Sequence, residues 1–229
     1  MTGSKIHVLS SMATKRLLAE LSKRFESGSA LPVTLEAVGG VDAAKRVRAG
    51  EIFDVVVLAA NVIDDLIAEG RIDGSRVDVA TSPVAIAVRA GAATPDIGSA
   101  EAVKRAVLAA GRVGYSTGPS GSYLARLFSQ WGIADAVKDR ITVAPPGVPV
   151  ASLVASGEID LGFQQLSELT GVDGIEVIGM LPPEIQSLTT FSGGVARTST
   201  QPDAARRLLD FMASPEVAEV KRDHGMSAV

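Results

Sequence analysis

The chain of 229 residues contains no cysteine, which excludes disulfide bridges, thiolate metal sites and a cysteine nucleophile. Its only two histidines, His7 and His224, lie at opposite ends, so we expect no metal site and no Ser-His hydrolase. Basic residues do not outnumber acidic ones, and the net charge of −4 argues against nucleic acid as a partner. The longest uncharged run, residues 141–157, contains three prolines and is shorter than the roughly 20 apolar residues of a membrane span.

The beginning of the sequence, MTGSKIHVLSS, has no apolar region of the length found in secretory signals. As written, the sequence therefore predicts a cytoplasmic protein, and a periplasmic one if a signal peptide has been removed.

Apolar β-branched runs alternate with segments of helical periodicity in both halves of the chain. Each half follows the order β-α-β-α-β, which is typical of a parallel sheet with helical crossovers. We predict an α/β fold of two lobes, each with a mostly parallel sheet flanked by helices, and a ligand cleft between the lobes. The predicted lobes comprise residues 1–81 with 195–229, and residues 82–194.

Ligands of open parallel sheets bind at the carboxyl ends of the strands, where the next helices begin. Six loops meet this description, and they are rich in hydroxyls, amides and glycines without a single charge. They comprise residues 10–12, 39–40, 59–61, 116–122, 144–148 and 164–165. The residues that we expect to bind a ligand are Ser10, Ser11, Gly39, Gly40, Asn61, Ser116, Ser120, Gly121, Ser122, Val148, Gln164 and Gln165.

The loop STGPSGS, residues 116–122, is the most informative of the six. It precedes a helix, whose N-terminus favours an anion through its free N–H groups and about half a positive charge. A solvated turn with a capping serine is the alternative. Similar alternatives exist for Ser11 as a helix cap, for Gly39-Gly40 as an ordinary turn, and for the glutamine pair as a bridge between the lobes.

Tyr115 and Glu168 are the only acid/base candidates near these loops, although a glutamate at the start of a helix is more often solvated. His7 lies inside the first strand, which predicts a packed core histidine. We expect no cofactor, because the P-loop pattern and its lysine are missing.

Five segments resemble the molybdate-binding-protein-like branch of the type II periplasmic-binding-protein superfamily. They read VLSSMATKRLLAELSKRFE, VGGVDAAKRVRAGEIFDVVVLAA, GYSTGPSGSYLARLFSQWGI, PPGVPVASLVASGEIDLGFQQ and LLDFMASPEVAEVKRDHGM. The resemblance implies two lobes that close on a small anion. The chain departs from the molybdate binders where they have a serine pair, here Gly39-Gly40, and where they have a tyrosine, here Gln165. An organic carboxylate is therefore favoured over a molybdate-type oxyanion.

The second half also resembles the aconitate isomerases, through GFQQLSEL and GIEVIGMLPPEIQSLTTFSGG. These enzymes share the molybdate-binding-protein fold and move a proton across an allylic tricarboxylate. The resemblance assigns no catalytic residue.

Two functions remain open from the sequence. The first is a binding protein for a small anion, with an ABC permease as its partner if it is exported. The second is an isomerase of an unsaturated polycarboxylate, which needs a positioned acid/base group. A regulator's effector domain is a third interpretation, which the lack of a helix-turn-helix segment disfavours.

Overall fold

A computed structural model describes residues 5–145 and 147–229. Its strands are β1 (Ile6–Ser11), β2 (Val33–Val38), β3 (Val55–Ala59), β4 (Ile72–Arg89), β5 (Val113–Ser116), β6 (Ile141–Ala144), β7 (Leu161–Gln165), β8 (Ile175–Met180) and β9 (Leu188–Ala196). Its α-helices are α1 (Lys15–Ser29), α2 (Gly40–Arg48), α3 (Ala60–Ala68), α4 (Ala100–Ala109), α5 (Pro119–Gln130), α6 (Ala134–Val137), α7 (Val150–Ser156), α8 (Leu166–Leu169), α9 (Pro202–Ala213) and α10 (Ala218–Asp223).

The chain divides into two compact units, and the division falls within β4 and at the start of β9. Unit 1 runs up to Ser82 and resumes at Thr189, whereas unit 2 comprises Pro83–Leu188. The lobes predicted from the sequence divide after residues 81 and 194, so they differ from the units mainly in the assignment of β9.

The sheet of unit 1 has β1 between two parallel neighbours, β2 and β3, and β9 runs antiparallel to β3. Alternate residues of β3 pack into two different cores. Val55 and Val57 contact the cluster that includes residues of α1 and α9, whereas Val56 and Leu58 contact the cluster around α2 and α3. A strand buried on both faces is a continuous apolar run, as the sequence of β3 is.

The sheet of unit 2 has β5 between β6 and β7, all three parallel. Strand β4 runs antiparallel to both β7 and β8. The main core of unit 2 forms around Phe163, Phe128 and Leu124, with contributions from α4 and α5. The parallel arrangement means that β5, β6 and β7 end at one edge of the sheet, where helices α5 and α7 begin.

The structure confirms the α/β fold class, with helices on mostly parallel sheets. Two helix and strand limits differ in ways that matter for the site. Helix α5 begins at Pro119 rather than at Ser122, and Gln164 and Gln165 are the last residues of β7 rather than residues after it. The expectation for His7 was wrong, because its side chain is exposed at the beginning of β1.

Candidate functional site

In unit 1, the two serines at the end of β1 differ in what their side chains do. Ser10 is fully buried, and its hydroxyl donates a 3.2 Å hydrogen bond to the carbonyl oxygen of Ser11. Ser11 Oγ lies 3.4 Å from Thr14 Oγ1, and its side chain caps no helix. The Ser11 side chain therefore does not cap the helix that follows. Ser10 is part of the buried interior.

The glycine pair at the start of α2 has room for a Cβ atom at ordinary van der Waals distances. A Cβ atom on Gly39 would lie 3.7 Å from Asp42 Oδ2, and one on Gly40 would lie 4.0 Å from Ser11 Cβ. Neither glycine has a positive φ angle, so neither packing nor backbone conformation requires a glycine here. The structure thus brings Gly40, which is half-buried, next to the buried Ser11. Asn61 is exposed in the first turn of α3, at the end of the neighbouring strand β3.

In unit 2, helix α5 packs directly on the end of β5. A Cβ atom on Gly121 would lie 1.6 Å from the carbonyl oxygen of Ser116, so the close packing requires glycine. The side chain of Ser116 accepts a 3.2 Å hydrogen bond from the Gly118 N–H. Ser120 is buried and Ser122 is exposed, both in the first turn of the helix.

The first turn of α5 leaves two backbone N–H groups without a partner inside the helix. Pro119 has no N–H, and the Ser122 N–H already donates a 3.0 Å bond to the Gly118 carbonyl. The remaining donors are those of Ser120 and Gly121. They stand at the positive end of a helix of 12 residues.

Gln164 connects three elements at the same edge of the sheet. Tyr115 of β5 pairs with Phe163 of the parallel strand β7. The next residue along each strand, Ser116 in β5 and Gln164 in β7, therefore lies at the same level. The side-chain oxygen of Gln164 accepts a 3.1 Å bond from the Val150 N–H at the start of α7. Its amide nitrogen donates a 2.7 Å bond to Glu168 Oε1. Gln164 is buried, and both of these hydrogen-bond partners belong to unit 2.

Glu168 differs most from its sequence-based interpretation, which was a solvated acid at the start of a helix. The side chain is partly buried, and burial raises its pKa from 4.5 to about 7, although the hydrogen bond from Gln164 opposes the shift. This desolvation arises because α8 packs against β7 and β8. The sequence could not show it, since β8 is absent from the sequence-based prediction.

The remaining predicted site residues occupy varied positions. Gln165 is buried at the end of β7, and Val148 is exposed in the loop before α7. Burial raises the pKa of Tyr115 above its ordinary value of 10.0, and its ring packs edge-on against Phe128. The described residues do not include Pro146, which falls in the predicted loop 144–148. They do not include residues 1–4 either.

Neither a metal site nor a membrane segment is found in the part of the chain that the structure describes. Within residues 5–145 and 147–229, no three His, Asp or Glu side chains form a group that could hold a metal ion. In the same ranges, no helix combines the length and the apolar character required to cross a membrane.

Parallel β-α-β units in both halves of the chain, with uncharged loops where the strands end, agree with the type II periplasmic-binding-protein fold. The chain belongs to the family of bacterial extracellular solute-binding proteins, whose model matches residues 6–227.

Comparison with individual proteins agrees with this assignment. An aconitate isomerase of a Pseudomonas species is 36% identical over 229 residues, which cover 97% of this chain and 87% of that protein. The periplasmic molybdate-binding protein of Azotobacter vinelandii superposes with a TM-score of 0.81 at 17% identity, over 98% of this chain and all of the other. The sulfate-binding protein of Mycobacterium tuberculosis has a TM-score of 0.79 at 18% identity, over 99% and 87%.

The comparisons confirm the superfamily predicted from the sequence. The two solved structures share the fold at low identity. Similarity to an aconitate isomerase extends over almost the whole chain, whereas the sequence motifs indicated mainly the second half.

Proposed function

We propose that the protein binds a small organic anion, namely a polycarboxylate in preference to a molybdate-type oxyanion. The observation that carries this proposal is the 36% identity, along 97% of the chain, to a protein named for its action on aconitate. The molybdate and sulfate binders are only 17% and 18% identical, so their ligands are weaker guides.

The geometry of unit 2 supports binding of an anion. Ser120 and Gly121 offer N–H groups at the N-terminus of α5, and the Ser116 hydroxyl stands at the end of the adjacent strand. These groups supply hydrogen bonds and a partial positive charge without a lysine or arginine. In unit 1, Ser11 offers a buried hydroxyl, and the half-buried Gly40 next to it offers its backbone. We propose that each unit contributes anion-binding groups of its own: Ser116, Ser120 and Gly121 in unit 2, and Ser11, Gly39, Gly40 and Asn61 in unit 1.

The partner proposed for this function follows from the family. Its members are described as extracellular, so we propose that the protein works outside the cytoplasm and delivers its ligand to an ABC permease. A cytoplasmic location belongs to the second candidate function, in which no transport partner is needed.

The second candidate is an enzyme that isomerises an unsaturated polycarboxylate. Two observations favour it: the near full-length similarity to an aconitate isomerase, and a carboxyl group, Glu168, that titrates near neutral pH. A general acid/base works best when its pKa lies close to the working pH.

A thermal-shift screen tests the binding function. The ligands are cis-aconitate, trans-aconitate, tricarballylate, citrate, molybdate, tungstate, sulfate and phosphate. A ligand at 100 times its Kd adds about 2.7 kcal/mol to the free energy of unfolding and raises the melting temperature. We expect the tricarboxylates to raise it most. A shift with molybdate or tungstate alone would contradict the proposal.

A further inference from the structure

The hydrogen bonds of Gln164 determine which oxygen of Glu168 can carry a proton. A backbone N–H only donates, so the Gln164 side-chain oxygen must be the atom that faces Val150. The amide nitrogen then faces Glu168 and donates to Oε1 in every protonation state of the carboxyl group. Oε1 is therefore always an acceptor, and the exchangeable proton of Glu168 resides on Oε2.

Among the described residues, no cation forms an ion pair with Glu168, and its hydrogen-bond partner is the neutral amide of Gln164. Strand β7 and helix α7 carry no charged residue, and β8 carries only Glu176, which is exposed. Apolar side chains pack between these elements, including Leu169, Val172 and Val177. Burial and the bond from Gln164 are the two influences on the pKa of Glu168. The group thus takes up and releases a proton near neutral pH without a charged neighbour.

A purely structural role does not require a carboxyl group at this position. A glutamine would accept the same hydrogen bond from Gln164 through its oxygen and would avoid the cost of placing a charge in an apolar environment. Strongly perturbed carboxyl groups beside ligand-binding loops are typical of acid/base catalysts.

Glu168 is better suited to this role than Tyr115, the other candidate from the sequence. The pKa of Tyr115 is raised from 10.0 by burial. Fewer than about one in a thousand tyrosine side chains with such a pKa is ionised at pH 7, so Tyr115 is a poor proton acceptor.

We propose that Glu168 is the catalytic residue that transfers the allylic proton of an unsaturated polycarboxylate, and that Gln164 is its positioning residue. This inference rests on the isomerase as the function. Glu168 Oε2 removes a proton from the methylene group next to the C=C bond. The C–H electron pair spreads over the three allylic carbons and the attached carboxylate. Oε2 then returns the proton to the far carbon, where a new C–H bond forms as the double bond moves.

This sequence of steps consumes nothing. The proton that leaves the methylene carbon is the one that Glu168 returns, and the carboxylate is regenerated at the end. No oxidant, reductant or second substrate is required. In D₂O, exchange of the proton on Oε2 with solvent between the two steps introduces deuterium into the substrate.

The test compares Glu168→Gln with the wild type and with Glu176→Gln, which removes an exposed carboxylate from the neighbouring strand. Proton NMR in D₂O follows isomerisation of cis-aconitate and deuterium incorporation. Calorimetry follows the binding of tricarballylate, a saturated analogue that cannot undergo the allylic shift. We expect Glu168→Gln to bind tricarballylate within about threefold of the wild type and to lose about 10²-fold or more of the isomerisation rate. Glu176→Gln should keep both properties.

Two further variants separate catalysis from structure. Glu168→Asp retains a carboxyl group in a displaced position and should be slower than the wild type but faster than Glu168→Gln. Gln164→Leu removes the donor that stabilises the ionised carboxylate, so kcat should fall and the acidic limb of its pH profile should move to higher pH. An unchanged pH profile in Gln164→Leu would contradict the positioning role.

The outcomes distinguish the inference from the function on which it rests. An active wild type with an equally active Glu168→Gln variant overturns the role of Glu168 and leaves the isomerase function standing. A wild type that binds tricarballylate but neither isomerises cis-aconitate nor incorporates deuterium overturns the isomerase and the role of Glu168 together, and leaves a binding protein.

Discussion

The carbonyl oxygen of Ser116 lies 1.6 Å from the point that a Cβ atom on Gly121 would occupy. The end of β5 and the first turn of α5 are in such close contact within unit 2 that position 121 requires a glycine. Only a glycine lets the helix begin so close to the strand, and the two N–H donors of that turn depend on this placement. A bulky residue at position 121 would therefore disturb the unit itself, not merely the approach of a ligand.

We expect Gly121→Ala to destabilise the protein, because the new methyl group overlaps a backbone atom that cannot move independently. Overpacking of this kind costs about 1–3 kcal/mol or more. Urea unfolding measures the loss. The control is Gly28→Ala in α1, where no atom lies within 4 Å of the added Cβ. Equal stability of both variants would contradict the packing role of Gly121.

Gly40→Ala should behave in the opposite way. Its added Cβ would lie 4.0 Å from the nearest atom, so the fold accepts it. Gly40 is the first residue of α2 and has no positive φ angle, so we expect alanine there to leave the stability of the fold unchanged. We nevertheless expect weaker binding of tricarballylate, because the methyl group hinders approach to the backbone. Unaltered affinity by calorimetry would exclude Gly40 from the site.

Ser120→Ala tests the hydroxyl in the first turn of α5. Loss of a hydrogen bond to a charged group costs roughly 1.5–3 kcal/mol, or about 10- to 150-fold in affinity. Ser129→Ala, at an exposed position of the same helix, serves as the control. If both variants bind tricarballylate as the wild type does, Ser120 does not contact the ligand.

The pH dependence of stability should reveal Glu168 independently of catalysis. Burial raises its pKa from 4.5 in the unfolded chain to about 7 in the fold. Its contribution to stability is therefore complete below pH 4.5 and is lost as the pH rises through 7. The full loss, for a pKa shift from 4.5 to about 7, is on the order of 3 kcal/mol. Urea unfolding at pH 5 and pH 8 should show a smaller decrease for Glu168→Gln than for the wild type, and parallel decreases would contradict the raised pKa.

We expect the charged form of the Lys221 side chain to destabilise the protein. The side chain is almost completely buried in α10, and burial lowers the pKa of its amine below 10.5. Stability is therefore lost as the pH falls from 10.5 through the lowered pKa. We expect Lys221→Met, which keeps the volume and removes the charge, to raise the melting temperature at pH 7. A lower melting temperature would show that the amine stabilises the fold.

The alternation of strands and helices could be predicted because its physical signal is local. Strand β3 is continuous in apolar residues since both of its faces are covered. Strand β8 was missed because its residues are only partly buried and include Glu176 and Gly179. The first half of β4 was missed for a similar reason, since it contains exposed polar residues.

The candidate site was less predictable because its chemistry arises from tertiary contacts. The sequence placed Gln164 and Glu168 near the end of a strand, but it did not show that they share a hydrogen bond. The raised pKa of Glu168 results from the packing of α8 against β7 and β8, and a sequence-based prediction that lacks β8 does not contain this packing. Likewise, nothing in the sequence shows that Ser10 and Ser11 are both buried.

Calorimetric titration of the wild-type protein with tricarballylate and with molybdate, in the same buffer, tests the proposed ligand class most directly. We predict that tricarballylate binds with a Kd at least tenfold lower than that of molybdate, a difference of about 1.4 kcal/mol. Tight binding of molybdate without measurable binding of tricarballylate would contradict the proposal that the protein recognises an organic polycarboxylate.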